Sequence, residues 1–370
     1  MNAAYDLDER ILALIRAWAR GKGAAPPFEE LALRLCAYQL ATNRPYARFA
    51  AAQGITLARL PQTLLEIPAV PAAAFKDATL ATFDVRRAEL EFHTSGTSGT
   101  ASGRHFFERA ALYEASFLAA FDRYVLPDEA RLRYLNLVPN ARYRPHSSLG
   151  YMMGHVSVVR GDGNAGWFLN DEAPAGTPLA LEIDGFARAL AAAIAERQPV
   201  CIATTAFAAV ALVDALAERG LSFAAPAGSR IMETGGFKGR SRIVERGELY
   251  ARLAAHLGIP EGRIIAEYGM TELASQYYDA PFSRGAAPRV KIAPPWLRTL
   301  AVDERGCELP PGETGFLRHI DLANRSSVIA IDTEDRGYAQ DGGIVLLGRD
   351  ADAPPRGCSL DAEELLGRSR

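Results

Sequence analysis

The sequence predicts an α/β fold with a largely parallel sheet, on three observations. Short apolar runs alternate with helix-length amphipathic stretches through the middle of the chain. Turns rich in glycine, serine and threonine follow directly on strand-like runs, the position where an α/β sheet keeps its ligands. After about Pro294 the pattern changes to short strands and turns, which reads as a small antiparallel β unit.

Taken in order, residues 1 to about 75 read as helical. Leu7, Ile11, Leu12, Leu14, Ile15 and Trp18 recur at helical spacing, and Leu31, Leu33, Leu35, Tyr38 and Gln39 do so less cleanly, with Pro26-Pro27 between the two helices. A proline-rich turn over 67–77 hands over to β-like segments, and the run ELEFHT (89–94) alternates like a strand into a Gly/Ser/Thr loop. Buried-strand candidates follow at 133–140, 200–205, 229–236 and 263–272, with helical stretches at 183–195, 207–219 and 241–257. The expected division is a helical region over 1–75, an α/β core over 76–293, a small β subdomain over 294–347, and a hinge with a short tail over 348–370.

Charge and cysteine usage exclude several classes of function. Lys+Arg (41) nearly balances Asp+Glu (44), a net charge of −3, so the basic excess of a nucleic-acid binder is absent. Cys36, Cys201, Cys307 and Cys358 are widely spaced, with no CxxC pair and no neighbouring histidine cluster, which argues against a disulfide framework and a structural zinc site. No apolar run approaches the roughly 20 residues a membrane span requires. The acidic N-terminus lacks the features of a signal peptide, so the expected location is the cytoplasm.

Two motifs carry chemistry. Thr94-Ser95-Gly96-Thr97-Ser98-Gly99-Thr100 runs on through Gly103 to Arg104. Its glycines let the backbone turn and present N–H groups, and its hydroxyls add donors, a combination suited to a polyphosphate. No Gly-Lys-Ser/Thr follows, so it is not the Walker pattern; the alternative is a plain surface loop. The second motif, Glu267-Tyr268-Gly269-Met270-Thr271-Glu272, ends an apolar strand candidate. Tyr268 can stack on an aromatic base, Thr271 can donate to a phosphate, and Glu272 can hold a divalent cation through oxygen. The alternative is a strand-end turn with a helix-capping threonine and a first-turn acid.

Together and in this order, the motifs resemble those of the adenylate-forming superfamily: acyl-CoA synthetases, firefly luciferase and peptide-synthetase adenylation domains. Glu233-Thr234-Gly235-Gly236 resembles the loop that flanks the adenine, and Thr333-Glu334-Asp335 the motif whose aspartate binds the ribose hydroxyls. Gly348-Arg349-Asp350 resembles the hinge whose arginine approaches the ribose. Within the superfamily, FHTSGTSGTASGRH, GGFKGRS, NRPYARFAAAQG, IPAVPAAAFKD and GRDADAPPRGCSL look like the LuxE-type acyl-protein synthetases, over essentially the whole chain.

That resemblance implies a large adenylate-forming N-terminal domain with β-sheets flanked by helices, a small β subdomain and a truncated C-terminal domain. It implies ATP and Mg2+ as cofactors. The triphosphate would lie on the 94–104 loop, the adenine near Gly235, Gly236 and Tyr268 with Gly269 and Met270 beside it, the ribose on Asp335 and Arg349, and the metal at Glu272. A carboxylic acid would be activated as its acyl-adenylate with release of pyrophosphate. A thiol, Cys358, would then take the acyl group for hand-over to an acyl reductase or a carrier protein.

The superfamily's C-terminal domain normally supplies a catalytic lysine, so another cation must balance charge as pyrophosphate leaves. Lys238 is the first candidate and Arg104 the second; each is otherwise a solvated surface cation. Cys358 has Arg356 nearby to favour its thiolate, against the alternative of a small apolar residue packing a terminal helix. Cys36 and Cys201 lie in apolar surroundings and Cys307 in a turn. His146 and His155 flank HSSLGYMMGH, a region that borders the acyl pocket in the superfamily. His146 is a candidate to orient the carboxylate, while Tyr151, Met152 and Met153 either line the pocket or fill the core. Two rival readings stay open: transfer to coenzyme A or to phosphopantetheine on a carrier, and a non-catalytic ATP-binding subunit of a reductase complex.

Overall fold

The four buried-strand candidates become Arg133–Leu137, Val200–Thr205, Arg230–Thr234 and Ile264–Tyr268 in a computed structural model of the chain. The structure describes residues 3–21, 27–94, 102–128, 130–170, 180–235, 245–280, 289–340 and 342–349. These gather into two units, each drawn from separate stretches of chain. One comprises residues up to Arg123 with Met270–Tyr277 and 289–349; the other comprises Tyr124–Gly269 with 278–280.

The second unit holds the parallel sheet. Its strands run in the order Ile264–Tyr268, Arg230–Thr234, Val200–Thr205, Arg133–Leu137 and Gly166–Trp167, each parallel to its neighbour. The four longer strands are buried almost throughout because both faces are covered. On one face Leu135, Leu137, Val200, Ile202, Ile231 and Ile264 pack against the helices Ile183–Ala195, Ala206–Glu218 and Arg246–Leu257. On the other, Asn136 Nδ2 donates to Ser157 Oγ at 3.2 Å, joining Arg133–Leu137 to the helix Ser148–Arg160. Alternation along the strand sends Leu135 and Asn136 to opposite faces.

The first unit holds an antiparallel sheet in the order Leu297–Val302, Gly315–Asp321, Ala330–Gln340, Gly343–Arg349 and Val290–Ile292. Val70–Pro71 adds a parallel edge against Ile331 and Asp332. The helix Ala3–Ala19 buries Leu7, Ile11, Leu12 and Ile15, one stripe at i, i+4 and i+8. Phe28–Thr42 follows, and a third helix, Arg44–Ala52, starts at Asn43, whose Oδ1 accepts from Tyr46 N at 3.2 Å. The helical expectation over 1–75 therefore stops short. Gly54 takes φ 78° just past that helix, and Pro61, Pro68 and Pro71 keep 53–73 in turns and one short strand. Among the described residues no helix is long and apolar enough to cross a membrane.

Candidate active site

In the second unit, Thr205, Thr234 and Glu267 are successive cross-strand partners at the ends of parallel strands. The buried Thr234 hydroxyl donates to the buried Glu267 carboxylate. Gly235 follows at φ 88°, a left-handed backbone that favours glycine, and turns the chain off the sheet at once. Glu233 faces the other way, and its carboxylate accepts from Tyr250 Oη at 2.9 Å beneath the helix Arg246–Leu257. The resemblance puts Glu233 and Thr234 together in the loop that flanks the adenine and gives Glu267 no role of its own; the period-two alternation of the strand is the signal that separates the two neighbours. Tyr268, half-buried, ends its strand, and Gly269 continues the chain. His146 is exposed, while Met152 and Met153 are buried in the helix Ser148–Arg160.

In the first unit, the Gly/Ser/Thr loop connects the two strands of a hairpin. Leu90–His93 pairs antiparallel with Arg104–Phe107, and the pairing runs one step beyond His93 and Arg104. Thr94 N donates to Gly103 O at 2.8 Å, and Gly103 N donates to Thr94 Oγ1 at 2.8 Å. A Cβ on Gly103 would lie 2.9 Å from Thr94 Oγ1 and 3.1 Å from the Phe75 carbonyl carbon. Gly103→Ala is therefore expected to destabilise the protein by about 1–3 kcal/mol, the range for overpacking a tight site. A thermal melt checks this, and an unchanged midpoint would mean that the loop is not closed at this pair.

Arg104 Nε donates to Glu91 Oε1 at 2.7 Å, and its guanidinium lies 4.7 Å from the Phe106 ring centroid. Arg104, with His93 Nε2 at 2.7 Å from the same oxygen, pulls the Glu91 carboxyl down to about 2. The second candidate cation is thus already matched by an acid.

Met270, Thr271 and Glu272 enter a turn in which Leu273 N donates to Met270 O at 3.0 Å. Thr271 and Glu272 are both buried. His105, fully buried, places Nδ1 at 2.7 Å from Thr271 O and Nε2 at 2.8 Å from Asn324 Oδ1. Asn324 Nδ2 in turn donates to Glu272 O at 2.9 Å. Both of the ring's neighbours are acceptors, which only an imidazolium satisfies at once, yet burial pulls its pKa down to about 4. The single proton of the neutral ring must serve Thr271 or Asn324.

Two residues further on, Ala274 N donates to Asp321 Oδ2 at 2.9 Å and Ser275 Oγ to Asp321 Oδ1 at 2.7 Å. Burial raises the Asp321 carboxyl to about 6 despite these donors. No sequence motif gives His105, Asp321 or Asn324 a role, although His105 ends the run FHTSGTSGTASGRH. Lone polar residues far from their partners along the chain leave no local pattern.

Asp335 and Arg349 are direct partners across antiparallel strands. Asp335 is buried, and Thr333 Oγ1 donates to Leu317 O at 2.8 Å beside it. Ser95, Gly96, Thr97, Ser98, Gly99, Thr100, Gly236, Lys238 and Cys358, and the side chain of Arg349, lie outside the described residues.

Comparison with known proteins places the fold. No curated protein matches the chain. Among solved structures, ATP-bound MatB from Rhodopseudomonas palustris is similar at 16% identity and a TM-score of 0.51, over 72% of this chain and 49% of that one. The chain thus spans about half the length of MatB. A 2-hydroxyisobutyryl-CoA ligase in complex with 2-HIB-AMP and CoA is similar at 14% identity and a TM-score of 0.60, over 86% of this chain and 73% of that one. The fold is that of the adenylate-forming enzymes. The family model described as acyl-protein synthetase, LuxE, matches residues 35–366, nearly the whole length, and the chain belongs to that family.

Proposed function

We propose that the protein activates a carboxylic acid as its acyl-adenylate at the expense of ATP, then takes the acyl group onto its own Cys358. The observation that carries this reading is the extent of the family match: residues 35–366 take in every motif, from the 94–104 loop to Cys358. The solved relatives supply the chemistry by analogy, one with ATP bound and one with an acyl-adenylate and coenzyme A.

In this reading a carboxylate oxygen attacks the α-phosphorus of ATP and the bond to the β-phosphate oxygen breaks, releasing pyrophosphate. The Cys358 thiolate then attacks the acyl carbon, the bond to the AMP oxygen breaks, and the thiol proton passes to solvent. The loop between Thr94 and Gly103 offers N–H groups and hydroxyls to the phosphates, and Lys238 offers the charge that Arg104, already paired with Glu91, offers less freely. Asp335 and Arg349 would hold the ribose, and Tyr268 with Gly235 and Gly236 the base. His146 would orient the acid. Thr271 would donate to a phosphate, and the buried Glu272 carboxylate, a hard oxygen donor, fits Mg2+; held there, the ion would neutralise charge developing on the phosphates. A reductase or a carrier protein would take the acyl group from Cys358.

Acid-dependent exchange of pyrophosphate into ATP tests the first half-reaction. Glu272→Gln is expected to lower its rate on the order of 10²–10³-fold, the usual loss when a group stabilising transition-state charge is removed. An exchange rate within two-fold of wild type would remove Glu272 from the site. Absence of exchange in the wild type with every acid tried would favour a non-catalytic ATP-binding subunit.

A further inference from the structure

We propose that Asn324 and His105 are positioning residues for the nucleotide site, Asn324 gripping the main-chain carbonyl of Glu272 and His105 that of Thr271, so that the Glu272 carboxylate stays where a divalent cation needs it. The inference rests on the reading of Glu272 as the metal residue.

Consecutive carbonyls in a turn are usually met by water or by neighbouring backbone. Here two side chains meet them, Asn324 Nδ2 on Glu272 at 2.9 Å and the His105 ring on Thr271 at 2.7 Å. Both side chains are completely buried. Burying an amide and an imidazole costs free energy that an apolar pair of similar size avoids, so filling space does not account for them.

Asn324 is itself held in place. Its N–H donates to Asp321 O at 3.1 Å, and Gln39 Nε2 donates to its carbonyl at 2.9 Å. Gln39 Oε1 accepts from Ile329 N at 2.8 Å on the far side of the same loop. The Asp321 carboxylate meanwhile holds Ala274 and Ser275, so the chain just after Glu272 is tied to the same four residues, 321–324. The helix Phe28–Thr42, which contributes no group to the chemistry, thus anchors the loop that aims one.

His105 adds a second connection. It follows Arg104 on the strand that leaves the Gly/Ser/Thr loop, so one imidazole ties the phosphate-loop hairpin to the metal turn across 166 residues of sequence. A carbonyl fixed in this way restricts the backbone dihedrals from which the Thr271 and Glu272 side chains depart, as the outer partners of metal ligands do elsewhere.

The test measures binding, not turnover. Calorimetry gives the affinity for the β,γ-imido analogue of ATP with Mg2+ and with EDTA; the ratio of the two isolates the metal's contribution. Asn324→Leu, neutral and of similar volume, is expected to lower that ratio at least about ten-fold, in the range for loss of an outer partner of a metal ligand. Its affinity in EDTA should stay within two-fold of wild type. In a Glu272→Gln background the same substitution should change the ratio no further.

A purely structural role would lower both affinities together, or add to the effect of Glu272→Gln, and either result would overturn the proposal. Glu272→Gln alone separates the two layers. If it leaves the ratio unchanged, the metal reading fails and this inference with it; if it lowers the ratio while Asn324→Leu does not, only the inference fails. Should Asn324→Leu not fold, His105→Phe, which keeps an aromatic ring against Phe75 and Phe107 but offers Thr271 no donor, is expected to lower the ratio about three-fold, the value of one neutral hydrogen bond. An unchanged ratio there would overturn the proposal equally.

Discussion

Incubated with Mg·ATP and a mixed pool of carboxylic acids, the wild-type protein is expected to gain an acyl mass that hydroxylamine removes, and Cys358→Ala to gain none. The contrast should be all-or-none, because the other thiols are poorly suited to compete. Cys36 is buried and its thiol is pushed up to about 11, burial outweighing the nearby Tyr46 hydroxyl. Cys201 is fully buried and pushed up to about 12. At neutral pH both are almost entirely protonated, and a thiol is a far weaker nucleophile than a thiolate. Cys307 is exposed, so Cys307→Ala is the control and should acylate like wild type. A labile adduct that survives Cys358→Ala and maps to Cys307 would overturn the assignment. Pyrophosphate release with no adduct on any variant would redirect the search to an external thiol, with coenzyme A and carrier phosphopantetheine the first to try. The mass gained identifies the acid in the same measurement.

Arg325→Met is expected to cost about 3–5 kcal/mol, the usual penalty for removing one partner of a buried ion group. Its guanidinium is buried and forked onto Asp8, Nε to Oδ1 at 2.7 Å and Nη2 to Oδ2 at 3.0 Å, while Nη1 donates to Glu108 Oε2 at 2.8 Å. Those acids hold Arg325 firmly in its charged form against the opposing effect of burial. Without it, Asp8 remains as a buried carboxylate, while the half-buried Glu108 keeps Arg87 at 3.2 Å. Urea unfolding followed by tryptophan fluorescence in a Trp167→Phe background reads this unit, since the remaining Trp18 and Trp296 rings meet edge-on at 5.2 Å. The triple replacement Arg325→Met, Asp8→Leu and Glu108→Leu should recover most of the loss, because it removes the stranded charge along with the pair. A loss below about 1 kcal/mol in the single variant would mean that water or protonation relieves the acids, well under the buried-pair value.

The parallel sheet was legible because buried strands are written as short apolar runs: the run at 200–205 becomes a strand residue for residue, and those at 133–140, 229–236 and 263–272 each hold a strand of five residues. The glycine-rich motif stood out for a related reason, because its residue types lie side by side in the chain. What escaped was whatever depends on distance along the chain. Asn324 meets Glu272 across 52 residues and His105 across 219, and no window of sequence contains either pair. Glu233 and Thr234 show a finer limit. Both sit in one motif, but the pleat turns one toward Tyr250 and the other toward Glu267, and a list of motif residues does not carry that division.

The bond between Asp8 and Arg325 spans 317 residues, and this sets an order on synthesis. A ribosome adding about 5–20 residues per second takes on the order of 15–60 s to travel from one to the other. In that interval the middle of the chain, Tyr124–Gly269, can fold behind the exit tunnel from contacts largely its own. The helix Ala3–Ala19 meanwhile carries Leu7, Ile11, Leu12 and Ile15 without the charged clasp that locks it down. The helix Ala3–Ala19 is thus made well before the arginine that clasps it, and the nascent chain carries that apolar stripe unclasped through the whole interval.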